Sequence, residues 1–147
     1  MSLVPADPPA CAQAVEAVAE ADWVVLGPGS WFTSVLPHLL VPELAGALIA
    51  TPARRLVTLN LAPQPGETEG FSPHAHLEVL ASHAPDFAFD VVLADRAAAR
   101  DTTRELEDAV AKLGGRLVLA DLAMADRSDR HDPRRLAGAF ARIFEGE

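Results

Sequence analysis

The chain has 147 residues, half of them hydrophobic, enough to fill the core of one compact domain and too apolar for a disordered segment. Acidic residues outnumber basic ones by 21 to 12, a net charge of −9, so most of the surface repels nucleic-acid backbones and anionic membranes. Neither is an expected partner. A single cysteine, Cys11, excludes an internal disulfide and a cysteine zinc site, and it reads as a small core residue of the first helix. The opening Met1-Ser2-Leu3-Val4-Pro5 has neither the basic nor the apolar region of a signal peptide. No apolar run reaches the ~18 residues of a membrane span, and the stretch from Val35 to Val41 is interrupted by Pro37 and His38. The expected location is the cytoplasm.

Short apolar runs alternate with longer amphipathic ones. Residues 10–21 carry Cys11, Val15, Val18 and Ala19 at helical spacing behind Pro8 and Pro9. Asp22 to Leu26, ended by Gly27, reads as a buried strand, and Pro42 suits the first position of a helix through Ile49. Thr33 to Leu40 is ambiguous, because Pro37 interrupts any helix there. Leu56 to Asn60 is the second predicted strand. A loop over 62–70 follows, then a helix with Ser72 as N-cap and Pro73 at its first position. Phe89 to Ala94 is the third strand. Thr102 and Glu105 have the spacing of a capping box ahead of a helix that Gly114 stops. Arg116 to Ala120 is the fourth strand, and Asp132-Pro133 opens a last helix with Leu136, Phe140, Ile143 and Phe144 along one stripe.

Four apolar strands separated by crossover segments predict an α/β fold, a parallel sheet covered by helices on both faces. Ligands of such sheets bind beyond the carboxyl ends of the strands. A four-stranded open sheet also has edges to cover, which predicts self-association, as a dimer, or pairing with a further segment.

Three groups of residues near those strand ends carry possible chemistry. Gly27-Pro28-Gly29-Ser30 with Thr33 and Ser34 offers backbone amides and hydroxyls to an anion, helped by a helix start near Thr33. The loop lacks the third glycine of a dinucleotide fingerprint and the Gly-Lys-Ser/Thr of a P-loop, and it equally reads as a tight strand exit with Trp31 and Phe32 packed inward. Asn60, Gln64, Gly66, Glu67 and Thr68 form a second group. Their amides and carboxylate suit sugar hydroxyls, a base edge or a Mg²⁺ ion held against phosphate, although composition alone favours an ordinary surface loop. The third group is histidine. His74 and His76 cannot share a helix face as a metal pair, but His76 can turn toward the ligand loops. Asp95 and Asp121, at strand exits, are also placed to see a ligand, and Arg127, Arg130, Arg134 and Arg135 read as a solvated basic face.

The stretch Ala21 to Pro42 fits the pattern ADxxxxGPGSxxTSxxPxLLVP, and Asn60 to Phe71 fits N-L-x-x-Q-x-G-E-T-x-G-[YF]. With these two blocks, the histidine that follows at His76 and the tail from Arg130-His131-Asp132, the chain resembles the bacterial gluconeogenesis factors, within the 2-phospho-L-lactate transferase superfamily. The resemblance implies a three-layer Rossmann-like sheet, of which residues 1–147 look like the carboxyl-terminal portion. Members are about double this length, and their amino-terminal half, with a Gly-Gly-Gly-Thr-Gly nucleotide-binding turn, has no counterpart here. It further implies a cytoplasmic nucleotide-sugar (UDP-sugar) binding protein of gluconeogenic growth, cell-wall precursor supply and cell shape. The alternative is a transferase of phospholactyl groups in coenzyme F420 synthesis, using a nucleotide donor and Mg²⁺ with Glu67 or an aspartate on the metal. The resemblance implies that Gly27, Pro28, Gly29, Ser30, Thr33 and Ser34 form the phosphate side, that Asn60, Gln64, Gly66, Glu67 and Thr68 line the opposite wall, and that His76 is a further ligand-site residue.

Overall fold

In the computed structural model, which describes residues 2–66, 68–126 and 128–146, four strands form one parallel sheet in the order β1-β2-β3-β4. They are β1 (Trp23–Leu26), β2 (Arg54–Thr58), β3 (Val91–Asp95) and β4 (Arg116–Ala120). Each step between neighbours passes through helix: α2 (Leu36–Leu40) and α3 (Pro42–Ala50), then α4 (Pro73–His83), then α5 (Thr103–Lys112). Helix α1 (Ala12–Glu20) precedes the sheet and α6 (Pro133–Glu145) follows it. The register aligns Leu26 with Val57, Val57 with Val92 and Val92 with Leu117.

Strand alternation divides the core in two. Leu26, Val57, Val92 and Ala94 face one layer of helices, where Leu36, Leu48, Leu77 and Leu106 are buried against them. Leu56, Val91 and Leu93 face the other way and meet Ala139 and Ile143 of α6. β3 lies between two neighbours with helices above and below, and all five of its residues are buried. On β1, which pairs only with β2, Val25 stays 38% exposed. Among the described residues no single helix is long and apolar enough to cross a membrane.

Several local expectations shift. The second strand runs over Arg54–Thr58 rather than Leu56 to Asn60, because Asn60 is drawn out of the ladder by the contacts described below. The ambiguous segment is a wide π-turn over Trp31–Val35 running into α2. Pro37 brings no N–H to the helix there, and the turn just upstream is closed by Leu36 N–H donating to the Trp31 carbonyl. Cys11 is exposed, with its thiol 3.1 Å from Gln13 Oε1, since α1 buries no residue fully. Neither Ser72 nor Thr102 caps its helix through its side chain, whereas Asp132 accepts from the amides of both Arg134 and Arg135.

The exits of β3 and β4 are tied by one side chain. Asp95 is 4% exposed; its Oδ1 accepts from Ala97 and Ala98 N–H at 2.9 and 3.0 Å, and its Oδ2 from Leu122 and Ala123 N–H at 2.7 and 3.2 Å. Burial alone pushes the carboxyl pKa up, but the four amides outweigh it and hold the group below the ordinary carboxylate range. Asp95 is therefore a brace, and both of its oxygens are committed to backbone. Replacing Asp95→Ala orphans four amides at once, and we expect urea unfolding to register a loss of about 3 kcal/mol.

Candidate functional site

The exits of β1 and β2 lie side by side because the strands pair directly. At the first exit Gly27 has φ +77°, and a Cβ there would stand 2.7 Å from the Thr58 carbonyl oxygen, so only glycine fits. The Gly27–Pro28 peptide is cis. Two residues on, Gly29 and Asn60 bond reciprocally: Gly29 N–H donates to Asn60 Oδ1 at 3.1 Å and Asn60 Nδ2 donates to the Gly29 carbonyl at 2.9 Å. The asparagine amide thus imitates a paired peptide and makes one unit of the two loops.

This pairing changes which groups remain to meet an anion. Gly29 N–H is spent on Asn60, Thr33 N–H on Ser30 Oγ at 3.2 Å, and Ser34 N–H on the Ser30 carbonyl at 2.8 Å. The amides of Trp31 and Phe32, at the start of the helical segment, have no carbonyl of their own helix to meet. The side chains of Thr33 and Ser34 are exposed beside them, while Pro28 is a solvent-facing corner.

The second loop is held from within. Thr68 is fully buried; its Oγ1 accepts from Gln64 N–H at 2.8 Å, its own N–H donates to the Gln64 carbonyl at 3.0 Å, and its carbonyl accepts from Phe71 N–H at 2.9 Å. It shapes the loop rather than lining its open side. Gly66 is exposed with φ +77°, as the turn demands, and Gln64 Oε1 is buried without a partner. Glu67 lies outside the described residues, as does Arg127.

His76, on the first turn of α4, joins the two loops to the helical layer. Its ring stands edge-on to Trp31 at 5.1 Å and to Phe71 at 5.5 Å, and Phe71 in turn meets Phe32 at 6.3 Å. Four aromatic rings therefore close one wall, a role for Trp31, Phe32 and Phe71 that residue type alone does not assign. A cavity of about 140 Å³ opens beside them, lined by Leu59, Asn60, Leu61, Phe71 and His76 among others. A wider one of about 310 Å³ adjoins it past Leu61 and Ala98, bounded by Asp95, Arg100 and Ser128. Of the two aspartates expected to see a ligand, Asp95 is the buried brace, and Asp121 stays exposed with one carboxylate oxygen 3.7 Å from Arg96. Arg130 and Arg135 pair loosely with Asp126 and Asp132 on the expected solvated face. Among the described residues no three His, Cys, Asp or Glu side chains are grouped so as to hold a metal ion.

Burial lowers the His76 pKa, against a smaller upward pull from the Ser72 carbonyl, and burial lowers that of His131 as well. The unfolded chain therefore binds protons that the native state refuses once pH falls below the ordinary imidazole value of 6.5. Stability from these histidines is fully present above that value and drains away as pH drops toward the native pKa values. Urea unfolding followed from about pH 7.5 to 5.5 is expected to lose at most about 1.4 kcal/mol per pH unit for each histidine, and His76→Phe to flatten the slope.

With this geometry in hand, the likeness to known proteins is specific. The sequence profile of the family described as 2-phospho-L-lactate transferase CofD matches residues 1–128. Proteins of Mycobacterium tuberculosis and Mycobacterium leprae, each named "Putative gluconeogenesis factor", are 51% and 52% identical over 94% and 98% of this chain. The chain spans only 41% and 40% of those relatives' lengths. The crystal structure of a UPF0052-family protein from Bacillus halodurans superposes with a TM-score of 0.80 at 27% identity, over 95% of this chain and 49% of that one. The chain thus belongs to the CofD family, on its gluconeogenesis-factor side.

Proposed function

We propose that this chain is the carboxyl-terminal portion of a nucleotide-sugar-binding regulatory protein, active in the cytoplasm in gluconeogenic growth, cell-wall precursor supply and cell shape. The reciprocal Gly29–Asn60 pair is the observation that carries the reading, since it fuses two strand-tip loops into one rim. On that rim the diphosphate sits against the amides of Trp31 and Phe32 and the hydroxyls of Thr33 and Ser34. No lysine or arginine occurs between Gly27 and Ser34, so the anion is held by neutral donors, and affinity for the isolated chain is weak. Gln64 and Gly66 stand on the facing wall, in a loop that Thr68 shapes from within, and the open edge of β1 supports self-association as a dimer.

A second reading takes its support from the family profile, whose description is a transferase. In it the same rim holds a nucleotide donor with Mg²⁺ and the protein moves a phospholactyl group. Titration with UDP-N-acetylglucosamine and with GDP, each with and without Mg²⁺, separates the two. We expect millimolar UDP-N-acetylglucosamine to shift the amide resonances of residues 27–34 and 60–71 without Mg²⁺, and Asn60→Ala to abolish those shifts. A response to GDP alone, and only with Mg²⁺, overturns the regulatory reading in favour of the transferase. Micromolar affinity of this chain by itself contradicts the weak binding proposed.

A further inference from the structure

The two edges of the sheet are not alike. On β4 the Ala120 carbonyl accepts from Arg96 N–H and the Arg116 amide donates to the Asp90 carbonyl. Alternate residues of β4 therefore bond to β3, and Leu117 and Leu119 turn their peptide groups outward. Arg96 guards that edge: its Nη2 donates to the Leu119 carbonyl at 2.9 Å, and its Nε lies 3.7 Å from Asp121. A charged side chain seated on an outward carbonyl blocks a further strand. β1 has no such guard. The Asp22 carbonyl accepts from Arg54 N–H, so Val24 and Leu26 bond to β2 while Trp23 and Val25 turn N–H and C=O outward. No group among the described residues bonds to those outward groups.

The Trp23 and Val25 side chains share the sheet face to which, among the helices, α6 alone brings core residues. Val25 is 38% and Phe144 41% exposed, and the Phe144 ring lies 4.9 Å from Trp23 and 5.8 Å from Phe140. An apolar strip thus runs from the bare edge onto α6. All the strands of the described residues already lie in the sheet, so none is left to cover β1. We propose that a second copy of this chain covers it, its own β1 running antiparallel across a two-fold axis at Val24. In that register Trp23 lies opposite Val25 of the second copy, and Val25 opposite its Trp23, each pair exchanging both hydrogen bonds. Val24 meets its counterpart as the closer, non-hydrogen-bonded pair. Every outward group of Trp23 and Val25 is then satisfied, and each bare Val25 gains an indole across the strands. Trp23–Leu26 carries no charge, so two copies of net charge −9 meet there without opposed carboxylates. The inference rests on the self-association proposed above, to which it adds a surface and a register, and it is independent of the nucleotide seat.

Sedimentation equilibrium of the whole chain is expected to show a dimer at micromolar concentrations. Val25→Lys, at an exposed position, should raise the dimer dissociation constant roughly tenfold or more, since each copy then buries an unpaired ammonium. Amide hydrogen exchange should be slow at Trp23 and Val25 in the dimer and quicken with that variant. Val24→Cys, in a Cys11→Ser background that removes the exposed native thiol, should form a disulfide-linked dimer with oxidised glutathione. Exchange and cross-linking decide the matter if Val25→Lys fails to fold. A dimer in which both amides exchange freely and Val24→Cys does not cross-link uses another surface, and it overturns the proposal while self-association stands. A strictly monomeric chain overturns both and leaves the β1 edge to a strand of a different polypeptide. Either failure leaves the nucleotide reading to its own titration.

Discussion

The site depends on a side-chain amide standing in for a piece of strand. β1 and β2 pair as far as Leu26 and Val57, where β1 ends, while β2 runs on beside β3 through Thr58. Asn60 then continues the pairing by donating to and accepting from Gly29 in the manner of a peptide group. A charged side chain could supply only half of that exchange, and an apolar one none of it. The close approach it imposes explains the glycines: Gly27 turns with positive φ against the Thr58 carbonyl, and a Cβ on Gly29 would press on Ser34 at 3.1 Å. One hydrogen-bonded pair thus fixes loop shape, backbone composition and the list of groups left to meet a ligand.

Asp95 does for β3 and β4 what Asn60 does for β1 and β2, but by charge. Its carboxylate gathers four amides from two exits, and those charge-assisted bonds compensate its burial. The contrast divides the carboxyl end of the sheet. On the β1–β2 side a neutral tie leaves an aromatic wall and a largely apolar cavity. Around β3 and β4 the backbone amides stabilise the Asp95 carboxylate in its charged form, and the wider cavity there is bounded by both Arg100 and Asp129. Both halves use polar side chains, half-buried at Asn60 and buried at Asp95, to set backbone geometry at strand tips, where the sheet ladder no longer does so.

The four-stranded sheet of this CofD-family chain has two edge strands, β1 and β4. β1 has a single hydrogen-bonding neighbour, and Val25 on it is partly bare. The same four strands superpose on half of the larger Bacillus halodurans chain, so the layered arrangement of sheet and helices is common to both.

The element order, the parallel sheet with two covered faces and the two loop blocks were legible in the sequence, because each is a local matter of periodicity and turn chemistry. Strands read as apolar runs between glycine- and proline-rich exits, and Asp132-Pro133 announced its helix through a cap that does form. What tertiary structure alone decided was the use of each polar group once the exits were brought together. Asp95 and Thr68 look like ligand donors in a list of residues, yet contacts with backbone two to twenty-eight positions away turn both into internal braces. Asn60 gave up one face to Gly29 across 31 residues, a partnership that no spacing rule encodes. His76 gained its unpaired nitrogen because the carbonyl four residues earlier claimed the other one. Periodicity reports which face of an element is buried, but hydrogen-bond satisfaction is settled by neighbours in space, and those exist only after the chain has folded.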